Sequence, residues 1–148
     1  KNIRLGISLS DLYKKLATYP VKGAYVFLDA CFSGGYKSAA PLLAQKGVRV
    51  VPKVGLPQGN TLSFSSSSGD QTSSVYHEKK QGYYTYFLIK TIRDAKGNIS
   101  MKELFDRTSA AVKRATALID KIQEPQCMAS HTWIGWEDIK LETPVVTP

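Results

Sequence analysis

Near the amino end, apolar residues recur at Leu9, Leu12, Tyr13 and Leu16. This i, i+3, i+4, i+7 spacing predicts an amphipathic helix, capped by Ser8 or Ser10 and closed by Pro20. The period then changes. Ala24-Tyr25-Val26-Phe27-Leu28 is an unbroken apolar run, which suits a strand buried on both faces of a parallel sheet, so we expect it at or beside the sheet's centre. Beyond Gly35, the spacing predicts a short helix from Tyr36 to Gln45, ended by Lys46-Gly47, and a short strand over Val48-Arg49-Val50-Val51. Pro52, Gly55, Pro57 and Gly59 make Pro52 to Asn60 a loop. Thr61 to Ser66 alternates apolar and small polar residues as a strand does, and a polar loop runs from there to Gln81. Gly82 to Asp94 predicts a helix with Tyr84, Phe87, Leu88 and Ile92 on its inner face, and Ala95 to Ile99 a turn. Ser100-Met101-Lys102-Glu103 is a capping box that opens the last long helix, whose stripe is Leu104, Phe105, Val112, Ala115, Ile119 and Ile122. Trp133-Ile134-Gly135-Trp136 and Ile139-Lys140-Leu141 suggest a final strand. Strands and helices alternate, so the expected architecture is a three-layer α/β/α sandwich.

The chemistry gathers where the first apolar run stops. Active sites of open α/β sheets lie beyond the carboxyl ends of their strands, and Cys31 stands there, followed by Gly34 and Gly35, which permit a sharp turn and close approach of a ligand. An isolated cysteine is usually a packed core residue; the Asp29-Ala30-Cys31-Phe32-Ser33-Gly34-Gly35 context favours presentation to solvent instead. That motif resembles the nucleophile segment of the caspase-like cysteine proteases, in the metacaspase and bacterial homologue form with Asp two residues before Cys. A second resemblance lies in Ser67-Ser68-Gly69-Asp70-Gln71-Thr72-Ser73-Ser74, then Gly82-Tyr83-Tyr84-Thr85-Tyr86-Phe87-Leu88. The likeness runs from about Leu5 to about Gln126. It implies a caspase-like fold whose first strands are missing from this chain, with residues 1–141 the C-terminal portion of the peptidase domain and 142–148 a tail.

The resemblance assigns Cys31 as nucleophile and its backbone N–H to the oxyanion. A thiol of pKa about 8.5 attacks only as thiolate, so it needs a neighbouring base or cation. In such enzymes that base is a His roughly 50 residues before the Cys; thirty residues precede Cys31 and none is a His. We therefore expect the partner on an upstream segment or a partner chain. The alternative is an inactive, caspase-like pseudoenzyme that serves as a protein-interaction module. His77, in a polar loop, matches no family histidine, and His131 is a weaker candidate still. By the same resemblance Asp29 lines a pocket for an Arg or Lys side chain, with Asp70 as second acid and Ser67 beside it, implying a peptide or protein substrate cut after a basic residue. On the residues alone Asp29 can instead be an acceptor for loop N–H groups and Asp70 a turn-capping Asp. The Pro52 to Asn60 loop stands where relatives carry a processed linker, with Lys46, Arg49 and Lys53 as basic cleavage points; an uncut surface loop fits it as well.

Composition narrows the partners. The chain has 148 residues, 43% of them hydrophobic and 22% charged, as expected for one globular domain. Lys and Arg exceed Asp and Glu by 20 to 12, a net +8, but they are scattered singly or in pairs such as Lys14-Lys15 and Lys79-Lys80, without the clustered stripe of a nucleic-acid reader. No apolar run approaches the ~20 residues of a membrane span. No cofactor or metal site is expected: Asp94-Ala95-Lys96-Gly97-Asn98 is too poor in carboxylates for an EF-hand loop, and calcium activation rests on the resemblance alone. Cys127 reads as a bystander at a helix end, and localisation stays open.

Overall fold

The computed structural model describes residues 8–30, 55–68, 71 and 73–141. Cys31, Asp70, the helix expected over 36–45, the strand expected over 48–51 and the 142–148 tail lie outside the described residues.

Helix α1 spans Leu9–Ala17, and Ser8 is its cap: the Ser8 hydroxyl accepts from Asp11 N at 3.4 Å. Strand β1 spans Ala24–Leu28 and β2 Thr61–Ser65; they pair in parallel, with Phe27 opposite Phe64 and Leu28 opposite Ser65. Further strands are β3 (Val75–Tyr76), β4 (Gln81–Gly82) and β5 (Gln126–Ala129), and the two long helices are α2 (Tyr83–Asp94) and α3 (Met101–Ala117). β5 pairs antiparallel to β2, so the main sheet runs β1-β2-β5.

The faces of β2 separate the layers. Leu62 and Phe64 point into a core built with Tyr84, Ile99, Met101, Leu104, Val112 and Trp133, beneath α2 and α3. Ser63 points the other way, where the fully buried Tyr13 of α1 donates its hydroxyl to Ser63 Oγ at 2.7 Å. Helices therefore cover both faces, as an α/β/α sandwich requires.

Three expectations need correction. β1 lies beside β2, the central strand among the described residues, as expected, but it is not buried on both faces: every residue of β2 is buried, while Tyr25 and Phe27 of β1 are 36% and 39% exposed. Thr61, Ser63 and Ser65 of β2 are all buried, Ser63 beneath Tyr13 of α1, so its polar positions do not mark a wet face. The last strand lies at Gln126–Ala129, just after Pro125, and not at Trp133 to Leu141. The latter segment turns through Gly135 (φ 79°) and Trp136–Asp138, places Trp133 in the core, and joins the start of α3 through Met101 N to Ile139 O (2.8 Å) and Leu141 N to Ile99 O (3.1 Å). Finally, α3 ends at Ala117; Ile119 and Ile122 are 44% and 75% exposed because the chain turns back at Asp120 (φ 54°).

The segment expected to be a loop up to Gln81 contains a small hairpin. Val75 pairs with Gly82 and Tyr76 with Gln81 around a single 3-10 turn, His77–Lys79. Aromatic stacking explains it: the Tyr76 ring lies parallel to Tyr83 at 4.5 Å and edge-on to Tyr86 at 5.2 Å, which holds the hairpin against α2.

Candidate active site

The carboxyl ends of β1 and β2 and the amino end of α2 meet at Asp29. The first N–H groups of a helix lack partners within it and carry a partial positive charge. In α2 the capping position is Gly82, which has no side chain to offer. Ser74 O accepts from Tyr83 N at 3.1 Å. Asp29, from 56 residues away, supplies the other acceptor: its Oδ2 receives both Thr85 N (3.2 Å) and the Thr85 hydroxyl (2.5 Å). The glycine at 82 is required here, since a Cβ would run into the Asp29 carboxylate. Asp29 is nevertheless exposed, and among the described residues no donor reaches its Oδ1. Beneath it lies Tyr84, whose hydroxyl is raised above its ordinary pKa by burial first and by the Asp29 charge second, and so stays protonated.

The serine-rich segment after β2 is fastened to the end of β1. Ser66 N donates to Leu28 O (2.9 Å), and the Ser66 hydroxyl to Ala30 O (3.4 Å), directly before Cys31 in sequence; the Ser66 and Ser73 hydroxyls are also hydrogen-bonded to each other. Ser67 is buried, and its hydroxyl donates to Gln71 O at 3.3 Å, within the segment itself. The structure thus brings Asp29 and the Ser66 backbone to one end of the sheet, with the Ser67 side chain turned inward.

Sequence reasoning missed the residues that hold this arrangement. Gln123, 1% exposed, uses both ends of its amide: Nε2 donates to Ser66 O and Oε1 accepts from Ser74 N, each at 2.9 Å. Beside it, Gln71 Oε1 accepts from Glu124 N (2.8 Å) and Gln71 Nε2 donates to Glu124 Oε2 (3.4 Å). These four bonds latch the segment to the chain that follows α3. Nothing in the hydrophobic period separates a buried Gln from an exposed one. Thr85 lies inside the quoted Gly82 to Leu88 motif, and a threonine three residues after a helix-capping glycine was the available signal.

The other candidates lie elsewhere. Cys127 is on β5 opposite Phe64, not at a helix end. Burial, then Asp106 and Glu137, push its thiol up to about 12, so it is protonated and unreactive at neutral pH. His77 and His131 are exposed, in the hairpin turn and in the turn after β5. A groove of about 480 Å³ lies between α2 and α3, lined by Phe87, Lys90, Arg107 and Arg114 among others, and none of the predicted site residues borders it. Among the described residues no group of three or more His, Cys, Asp and Glu is gathered as a metal would need, and no helix is long and apolar enough to cross a membrane.

A family model described as the caspase domain matches residues 2–132, a span that includes Asp29, Cys31, Ser67, Asp70 and Thr85. No curated protein matches the chain.

Proposed function

We propose a function on one premise: the chain belongs to the caspase family, a family of cysteine peptidases, and its finer role is that of an endopeptidase cutting after Arg or Lys. The observation that carries this reading is the Asp29 carboxylate, two residues before Cys31, on an exposed residue, anchored through Oδ2 and with no donor to Oδ1 among the described residues. A fixed, accessible carboxylate at a strand's carboxyl end suits a guanidinium or ammonium group, and a charge-assisted contact of that kind contributes about 1.5–3 kcal/mol.

In this mechanism the Cys31 thiolate attacks the carbonyl carbon of the bound basic residue itself, and the backbone N–H of Cys31 helps hold the oxyanion. A His outside this chain, on an upstream segment or a partner chain, takes the thiol proton and gives it to the leaving amine. Water then hydrolyses the thioester, and the thiol is restored. Asp70 is the second acid in this scheme, and Ser67 contributes through the shape of its segment. Calcium activation is carried over only by likeness to the family.

Labelling by an arginine chloromethyl ketone, on protein that includes the His-bearing segment, tests the nucleophile. Cys31→Ala is expected to abolish labelling and Cys127→Ala to leave it intact; equal labelling of both thiols contradicts the assignment. One observation favours a second reading, an inactive interaction module: the bonds from Thr85 give Asp29 a structural task that needs no substrate. In that case Asp29→Asn lowers thermal stability without altering any preference for basic peptides.

A further inference from the structure

We propose that Thr85 is a positioning residue that sets how Asp29 discriminates arginine from lysine. This rests on the reading of Asp29 as the acceptor for a basic side chain. A carboxylate offers about four lone-pair sites, two on each oxygen. Thr85 fills both sites of Oδ2, one with its N–H at 3.2 Å and one with its hydroxyl at 2.5 Å. Only Oδ1 is left. Arginine gains most from a carboxylate when its planar fork reaches both oxygens, whereas the lysine ammonium acts as a point charge and needs one. With Oδ2 saturated, the fork's second N–H finds no acceptor on Asp29, and the two basic side chains make equivalent single-point contacts. Gly82 keeps this geometry in place by leaving room for the carboxylate against α2. The Thr85 hydroxyl is therefore the group that withholds the bidentate contact.

Thr85→Val removes the hydroxyl, keeps the side chain's shape and leaves the backbone N–H on Oδ2, which frees one lone-pair site there. Thr85→Ser restores the hydroxyl, and Thr85→Ala deletes it with less bulk in case Val packs poorly. The full chain is titrated with two acetylated tetrapeptide amides, Gly-Gly-Gly-Arg and Gly-Gly-Gly-Lys, and the Kd of each is read by NMR. The ratio of the two constants does not depend on the folded fraction. The wild type is expected to bind both within about threefold. Thr85→Val and Thr85→Ala are expected to shift the ratio toward arginine by about threefold to tenfold, the worth of one added hydrogen bond, and Thr85→Ser to keep the wild-type ratio. An unchanged ratio in Val and Ala, a Ser variant that behaves like Val, or a wild type already favouring arginine more than tenfold overturns the proposal. Asp29→Asn separates the two levels. If it weakens both peptides while the Val ratio stays put, only the role of Thr85 falls; if it weakens neither, the reading of Asp29 falls and takes this inference with it.

Discussion

β1 and β2 lie side by side in register, yet they keep opposite relations to solvent. β1 reads Ala-Tyr-Val-Phe-Leu and leaves Tyr25 and Phe27 more than a third exposed; β2 reads Thr-Leu-Ser-Phe-Ser and is buried throughout. Their phenylalanines make the contrast sharp. Phe27 and Phe64 stack at 4.9 Å with nearly parallel rings, but one is 39% and the other 1% exposed. Burial follows from what covers a strand and not from its own hydropathy: Tyr13 of α1 closes over Ser63 on the small polar face of β2, and among the described residues β1 has one neighbouring strand.

The largest expected effect tests that contrast. Phe64→Ala is expected to cost about 3–5 kcal/mol by chemical denaturation, the range for emptying a closed core site. Phe27→Ala is expected to cost about 1–2 kcal/mol, since part of its ring is already in water. Equal costs would mean that β1 is as enclosed as β2. Because the rings touch, the double variant is expected to be non-additive.

A second, smaller effect concerns the latch behind the site. Gln123→Ala leaves Ser66 O and Ser74 N without their partners, at about 1–3 kcal/mol for buried groups left unsatisfied. Amide exchange at Ser74 is expected to accelerate more than exchange in α3. Uniform acceleration across the chain would show that Gln123 supports the whole fold and not this segment.

The smallest effect is a pH dependence on the β2 side of the sheet. The folded Cys127 thiol titrates near 12, above an unfolded value of about 8.5. The sign follows: the neutral form is favoured on folding, so this contribution is fully present below about pH 8.5 and is lost as pH rises from there toward 12. Between pH 8 and pH 10.5 the wild type's Tm is expected to fall more steeply than that of Cys127→Ala. Parallel slopes would contradict the burial of that thiol.

Much of this was legible because local physics dictated it. The Leu9 to Leu16 period, the Ser100 cap, whose hydroxyl accepts from Glu103 N at 3.2 Å, and the glycine ahead of Tyr83 all appear where the sequence places them. What escaped depends on contacts between distant residues. The Trp133 to Leu141 stretch is apolar enough for a strand, but the place beside β2 is taken by Gln126–Ala129, and Trp133 reaches the core from a turn. Ile119 and Ile122 keep the helical period past the point where α3 ends, which periodicity alone does not register. At the site, the motif directed attention to Asp29, whereas its anchoring by Thr85 joins residues 56 positions apart. Gln123 bridges 57 and 49 positions to its two partners and carries no local signal of either.

The central claim is that Asp29 receives a basic side chain, and peptide-cleavage profiling of the wild type against Asp29→Asn, on protein carrying the His-bearing segment, tests it most directly. The account predicts cleavage after Arg and Lys in the wild type, with kcat/KM for those substrates falling about tenfold to hundredfold in Asp29→Asn, the equivalent of about 1.5–3 kcal/mol. A wild type that cuts after Asp or an apolar residue, or an Asn variant that loses stability while keeping its preference for basic residues, would contradict it.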